Sequence, residues 1–142
     1  MEISRPVMEN EKWPTRILVV DDHLAVLESL VPTLESQFTV VGTASDGRAA
    51  VEAEEKLHPD VVVLDISMPG INGIDAAKII RRSGSKTLIV FLTFYEDTDI
   101  LAAAERAGGL GYVLKTRLET DLVLAIKEAL EGRAFVSPFS KW

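Results

Sequence analysis

The stretch Val61-Val62-Val63-Leu64-Asp65 constrains this chain more than any other. Apolar side chains, mostly β-branched, run without a break into a single carboxylate. Such a run fits a strand buried on both faces of a parallel sheet, where there is no wet face to demand alternation. Asp65 then lies at the strand's carboxyl end, and Pro69-Gly70 turns the chain away. In open α/β sheets that end is where ligands bind.

The same grammar recurs along the chain. Arg16-Ile17-Leu18-Val19-Val20 reads as a strand ending in Asp21 and Asp22. Leu24, Leu27, Val31 and Leu34 follow at helical spacing, with Pro32 among them. An interior proline removes a backbone hydrogen bond, so a kink or break is expected near residue 31. Phe38 to Thr43 is a short strand. Asp46-Gly47 opens a second helix, and His58-Pro59-Asp60 ends it. Asn72 or Gly73 opens a third helix carrying Ile74, Ala77 and Ile80, closed by Gly84. Thr87 to Leu92 is a strand ending at Thr93. Asp97 caps a fourth helix that Gly108-Gly109 should stop. Gly111-Tyr112-Val113-Leu114 is a fifth strand, ending at Lys115. Leu118, Leu122, Ile126 and Ala129 mark a fifth helix, terminated by Gly132. Strands alternating with helices mean an α/β fold, a doubly wound parallel sheet with five strands and five helices on its two faces.

At 142 residues, 47% of them hydrophobic, the chain is long enough for one real core. A net charge of −7 argues against nucleic-acid binding by this chain itself and against an anionic membrane as partner. With no cysteine there is no disulfide and no thiolate metal site, as suits a cytoplasmic protein. No stretch approaches the length of a membrane span, and Met1 to Pro14 has no apolar run of the kind a signal peptide needs. Residues 1–15 are expected to form a flexible arm, with Trp13 as its one potential anchor.

The strand ends then collect chemistry. The first delivers Asp21 and Asp22, the third Asp65, the fourth Thr93 and the fifth Lys115. Three carboxylates drawn into one pocket repel one another, and a divalent cation relieves the repulsion. Mg²⁺ takes hard oxygen ligands and keeps waters, leaving room for a phosphate oxygen. Lys115 and Thr93 can both contact phosphate. The constellation suits an aspartate acting as nucleophile towards phosphorus, giving an aspartyl-phosphate.

Five motifs, four of them running to the end of a predicted strand and one opening the third helix, carry a resemblance. They are Val19-Val20-Asp21-Asp22-His23, Pro59 through Gly70, Asn72-Gly73-Ile74, Leu92-Thr93 and Gly111-Tyr112-Val113-Leu114-Lys115. Together the chain resembles a response regulator receiver domain of the CheY-like, flavodoxin-like fold, closest to the receivers of the NarL/FixJ group. The resemblance spans residues 16–132 and implies strand order 2-1-3-4-5. It implies that Asp65 accepts a phosphoryl group from a sensor histidine kinase. It implies that Asp22, Asp65 and the Ser67 backbone carbonyl ligate Mg²⁺ directly, with Asp21 acting through water. Lys115 binds the phosphate, Thr93 swings in to hydrogen-bond it, and Tyr112 follows from an outer to an inner rotamer. Homodimers through helices 1 and 5, or 4 and 5, are implied as well. Residues 133–142 resemble the start of a linker to a helix-turn-helix domain, which would make the parent protein a transcription regulator.

Two residues depart from the pattern. Phe94 stands where the family usually has a small residue, and could gate small phosphoryl donors. Tyr95 stands where side chains influence the water that removes the phosphate. Two other functions compete with the phosphorylation switch: a non-switching interaction module, and an aspartate-dependent phosphohydrolase. The second needs an acid two residues after the nucleophile, where this chain has Ser67. His23 and His58 read as surface residues rather than ligands or bases. Val123 and Leu124 widen the apolar stripe of the fifth helix, as either extra core or a partner surface.

Overall fold

The computed structural model describes residues 14–140. The arm expected over 1–15, with Trp13, lies almost wholly outside them. Six parallel strands form one sheet in the order β2-β1-β3-β4-β5-β6. They are β1 (Arg16–Val20), β2 (Thr39–Ala44), β3 (Val61–Asp65), β4 (Leu88–Thr93), β5 (Gly109–Leu114) and β6 (Phe135–Val136). Five helices connect or follow them: α1 (Leu24–Glu35), α2 (Gly47–Leu57), α3 (Gly73–Arg82), α4 (Thr98–Arg106) and α5 (Leu118–Leu130).

The unbroken apolar runs are explained by two cores, one on each face. Ile17, Val19, Val61, Val63, Val90, Leu92 and Val113 point to one face and meet α1 and α5 through Leu27, Leu30, Leu34, Leu122 and Ile126. Leu18, Val20, Val62, Leu64, Ile89 and Phe91 point to the other and meet α2, α3 and α4 through small residues such as Ala50, Ala77 and Ala104. Successive strand residues alternate faces, so a strand covered on both sides must be apolar throughout. Val61, Val62, Val63 and Leu64 are all 0% exposed, each worth roughly 1.5–3 kcal/mol of burial. That apolar surround makes the carboxylate that ends β3 costly and therefore specific.

Three acid or amide side chains start helices as the sequence suggests. Asp46, Asn72 and Asp97 accept hydrogen bonds from the first-turn amides of α2, α3 and α4, satisfying donors a helix leaves free.

The structure corrects three expectations. Of the kink or break expected near residue 31, the break is absent: α1 runs as one helix through Pro32. The proline lies on the exposed side, where water can take the carbonyl it leaves unbonded, while Leu27, Leu30 and Leu34 anchor the helix on both sides of it. Second, only Gly108 ends α4, with φ +98°. Gly109 already belongs to β5 opposite Ile89, and a Cβ there would stand 2.5 Å from the Phe91 ring. It is a packing glycine rather than a helix stop. Third, the sheet has a sixth strand. Residues 135–136, expected in a trailing linker, pair in parallel with Gly111 and Tyr112.

Candidate functional site

The acids converge as the topology requires. β1 and β3 are neighbours, so Asp21 and Asp65 emerge side by side. Both are buried, at 0% and 1% exposure, while the Asp22 side chain keeps 23%. Oxygens of Asp21, Asp22 and Asp65 and a ring nitrogen of His23 all lie within 4.8 Å of one another. From the end of β5, Lys115 places Nζ 2.8 Å from Asp21 Oδ2 and 3.1 Å from Asp65 Oδ1.

One ammonium does not balance three carboxylates. Burial pushes the Asp65 carboxyl up from 3.8 to about 6, and the neighbouring Asp21 adds to the rise, while Lys115 pulls the other way. Lys115 is itself raised: burial works against its charge, but the hydrogen bond to Asp21 and the charge of Asp65 outweigh it. Asp65 Oδ1 also accepts from the Ser67 N–H at 3.2 Å. Asp65 Oδ2 is buried and has no hydrogen-bond partner. A buried carboxylate oxygen without a donor is expensive, and here it belongs to an excess of negative charge. Hard oxygen donors in that state fit a small divalent cation or an electrophilic phosphorus. The donor set therefore fits Mg²⁺.

The loop after β3 is held against the site. Ile66 N–H donates to Leu92 O at 3.0 Å, and Gly73 N–H returns to Ile66 O at 2.8 Å. A Cβ on Gly73 would stand 2.1 Å from the Asp65 carbonyl oxygen, so the start of α3 touches the backbone of the acid. Beside the acids opens a groove lined by Asp22, Ser67, Pro69, Asn72 and Tyr95.

On the other side stands the loop between β4 and α4. Thr93 is 1% exposed, and its Oγ1 accepts from the Tyr95 N–H at 3.0 Å. Tyr112 is also buried, at 2%, and its hydroxyl donates to the Tyr95 carbonyl at 2.7 Å. Burial raises the phenol to about 12. Tyr112 thus occupies an inward position. Phe94 is 63% exposed and lays its ring 5.3 Å from Lys115 Nζ, a cation–π contact at the mouth of the pocket. Tyr95 is 49% exposed.

The structure thus gathers Asp21, Asp22, Asp65, Lys115 and Phe94 around one pocket, with Ser67, Thr93, Tyr95 and Tyr112 in the loops and strands that flank it. Sequence reasoning set His23 aside with His58. His58 does cap α2, with φ +47°. His23 instead puts Nδ1 3.1 Å from Asp22 Oδ1 and 3.3 Å from Asp21 Oδ1. The available signal was its place directly after the acid pair. In α5, Val123 packs on the core and Leu124 is 47% exposed.

The family model of the response regulator receiver domain matches residues 17–127. The transcriptional regulatory protein LiaR of Bacillus subtilis is 40% identical over 119 residues, covering 82% of this chain and 56% of that protein. The nitrate/nitrite response regulator protein NarL of Escherichia coli is 37% identical over 134 residues, covering 92% and 61%. The chain thus spans little more than half the length of these relatives. Among solved structures, a LuxR-family two-component response regulator from Aurantimonas superposes with TM-score 0.83 at 35% identity, covering 87% of this chain and 89% of that one. The isolated receiver domain of RcsB from Salmonella enterica, with a beryllofluoride phosphomimetic, gives 0.79 at 32% identity, covering 87% and 93%.

Proposed function

Because the chain belongs to the response regulator receiver family, we propose that residues 16–132 work as its phosphorylation switch, with Asp65 as phosphoacceptor. The observation that carries this is Asp65 Oδ2: buried, without a hydrogen-bond donor, on a carboxyl whose proton affinity is raised. The phosphoryl donor is a phosphohistidine of a sensor histidine kinase. A carboxylate oxygen of Asp65 bonds to phosphorus as the P–N bond breaks, and the imidazole leaves with the electron pair and takes a proton. Asp22, Asp65 and the Ser67 carbonyl would hold Mg²⁺ directly, with Asp21 acting through water. When bound, the ion supplies positive charge for the transferring oxygens.

The other groups act around that step. Lys115, already at 3.1 Å from Asp65, moves its charge onto the phosphoryl oxygens. Thr93 donates its hydroxyl to one of them, and Tyr112 keeps the inward place this allows. Phe94 shields Lys115 and narrows the approach for small donors, and Tyr95 governs the access of water to the phosphoryl group. Phosphate then biases which surface is populated.

Residues 133–142 lead towards an effector domain with a helix-turn-helix, so that the parent protein regulates transcription in the cytoplasm. The relatives named for transcriptional regulation support this. No helix of the described residues is long and apolar enough to cross a membrane. A homodimer uses the α1/α5 side, where Leu24 and Leu124 are 69% and 47% exposed. The α4/α5 side is partly taken by the chain's own β6.

The test is intact mass after incubation with Mg²⁺ and either a small phosphoryl donor or a promiscuous histidine kinase, with Asp65→Ala in parallel. One phosphoryl group gained by the wild type alone supports the assignment. No gain from either donor, or equal gain by Asp65→Ala, refutes it. Absence of gain with unchanged partner binding would instead favour a non-switching module.

A further inference from the structure

The short strand β6 is part of a longer strap. Ser137 N–H donates to Tyr112 O at 2.9 Å, and Ser137 Oγ accepts from the Leu114 N–H at 3.0 Å. The same hydroxyl donates to Asp121 Oδ2 of α5 at 2.7 Å, and Ser137 is 1% exposed. Phe139 is 7% exposed and packs its ring 6.1 Å from the Tyr112 ring at 49°. Ser140 then donates both its N–H and its hydroxyl to the Glu96 carboxylate. The segment therefore crosses from α5, over the edge of β5, to the loop that begins α4.

That loop is the moving part of the proposed switch. Thr93 stands at its start, the Tyr95 carbonyl receives the Tyr112 hydroxyl, and Glu96 receives Ser140. Phe139 packs against the Tyr112 ring, and both side chains are buried. A Tyr112 ring turned to solvent must displace Phe139, so docking of the strap and outward Tyr112 exclude each other. In the phosphoacceptor reading above, phosphate on Asp65 draws on the inward state.

We propose that residues 135–140 are an intramolecular ligand of the β5 edge and the β4–α4 loop, and that their docking and phosphorylation of Asp65 favour each other through Tyr112. This rests on the phosphoacceptor reading above. Coupling is reciprocal: if the phosphoryl state tightens the strap, the strap stabilises the phosphoryl state by the same factor. The state of Asp65 is thereby delivered to the segment that leads out of the domain. A passive alternative exists, in which the strap only covers the exposed edge of β5, and it predicts no coupling.

Backbone hydrogen exchange on the full chain separates the two, with Mg²⁺ alone and with Mg²⁺ plus beryllofluoride. Coupling slows exchange across residues 135–140 on the order of fivefold or more, together with a response at residues 93–97. Phe139→Ala weakens beryllofluoride binding by the same factor, and Phe139→Leu restores most of it. Unchanged or faster exchange of the strap, while residues 93–97 respond, overturns the proposal and leaves the phosphoacceptor reading standing. So does unchanged beryllofluoride affinity in a folded Phe139→Ala. Absence of any response at both segments refutes the phosphoacceptor reading, and the coupling with it.

Discussion

Asp65→Asn makes the metal-free protein more stable at neutral pH, although it removes an ion-pair partner. Three carboxylates face one lysine in the pocket, and two of those carboxylates are almost completely buried. Burial first, and then Asp21, raise Asp65 from 3.8 to about 6. A shift of that size corresponds to about 3 kcal/mol of penalty on the ionised folded state. Asparagine has no charge to desolvate, its Oδ1 can still accept from Ser67 N–H, and Lys115 keeps Asp21 at 2.8 Å. Some of the gain is lost to an imperfect amide fit, which leaves a stabilisation of about 1–3 kcal/mol. The sign follows from linkage. A carboxyl whose folded value is raised favours folding fully below the unfolded value, and that contribution is lost as pH rises through the folded value. The advantage of Asp65→Asn is therefore absent below about pH 4, grows to about pH 6 and is level above it. Urea unfolding in the presence of a chelator, from acid to neutral pH, measures it directly. Millimolar Mg²⁺ should then favour the wild type, because an ion held by the native site stabilises it by mass action. A variant no more stable than wild type at pH 7, or a difference that ignores pH, would refute the account of the pocket as an excess of buried negative charge.

Other perturbations probe the supports of the site. Gly73→Ala drives a methyl into the Asp65 carbonyl; the start of α3 must shift, lowering stability by about 1–3 kcal/mol and weakening Mg²⁺ binding, read by denaturation and by titration calorimetry. Ser137→Ala strands the Leu114 amide and takes a donor from Asp121, costing about 1–3 kcal/mol in a urea melt. At Asp121 burial raises the carboxyl, but hydrogen bonds from Arg117 and Ser137 outweigh it and hold it below its ordinary value. That stability is present above the ordinary value and lost as pH falls through the lowered one, so Asp121→Asn is weaker than wild type at neutral pH and converges with it in strong acid. Phe94→Ala removes the ring over Lys115, changes stability by less than about 1 kcal/mol, and speeds labelling by a small donor while labelling by a kinase is unchanged, as intact mass against time would show.

How much of this was legible in the sequence depends on which interactions set each feature. The strands of the buried sheet were readable because a strand covered on both faces must be apolar along its covered length, as Ile17–Val20 of β1 and Val61–Leu64 of β3 are. The acid pocket was readable for a related reason: a charged residue directly after such a strand has few structural uses. Asp46, Asn72 and Asp97 announced their helices through local chemistry alone. The misses share a different cause. Pro32 is tolerated because three leucines hold α1 to the sheet from either side of it, and no local rule weighs that tertiary anchoring. Gly109 looked like a helix stop because its partner, Phe91, lies on another strand. His23 is a surface residue as the sequence suggested, and only its approach to Asp21 and Asp22 needed the fold to be seen.

The strap is the deepest case. Nothing in Phe135–Ser140 resembles a strand by period or length, and pairing over two residues carries little energy of its own. It is held because Ser137 satisfies a β5 amide and a buried carboxylate at once, and because Phe139 finds Tyr112. Those partners lie 16 to 27 residues away in sequence, at Leu114, Asp121 and Tyr112. They are legible only once β5 is known to be an edge strand with open amides. The residues that recruit the strap are also those nearest the switch, since Tyr112 belongs to both. A segment held in part by the Tyr112 ring is placed to report the position of that ring, and under the coupling proposed above the tail of the domain, rather than its core, is where the state of Asp65 would become visible to the rest of the molecule.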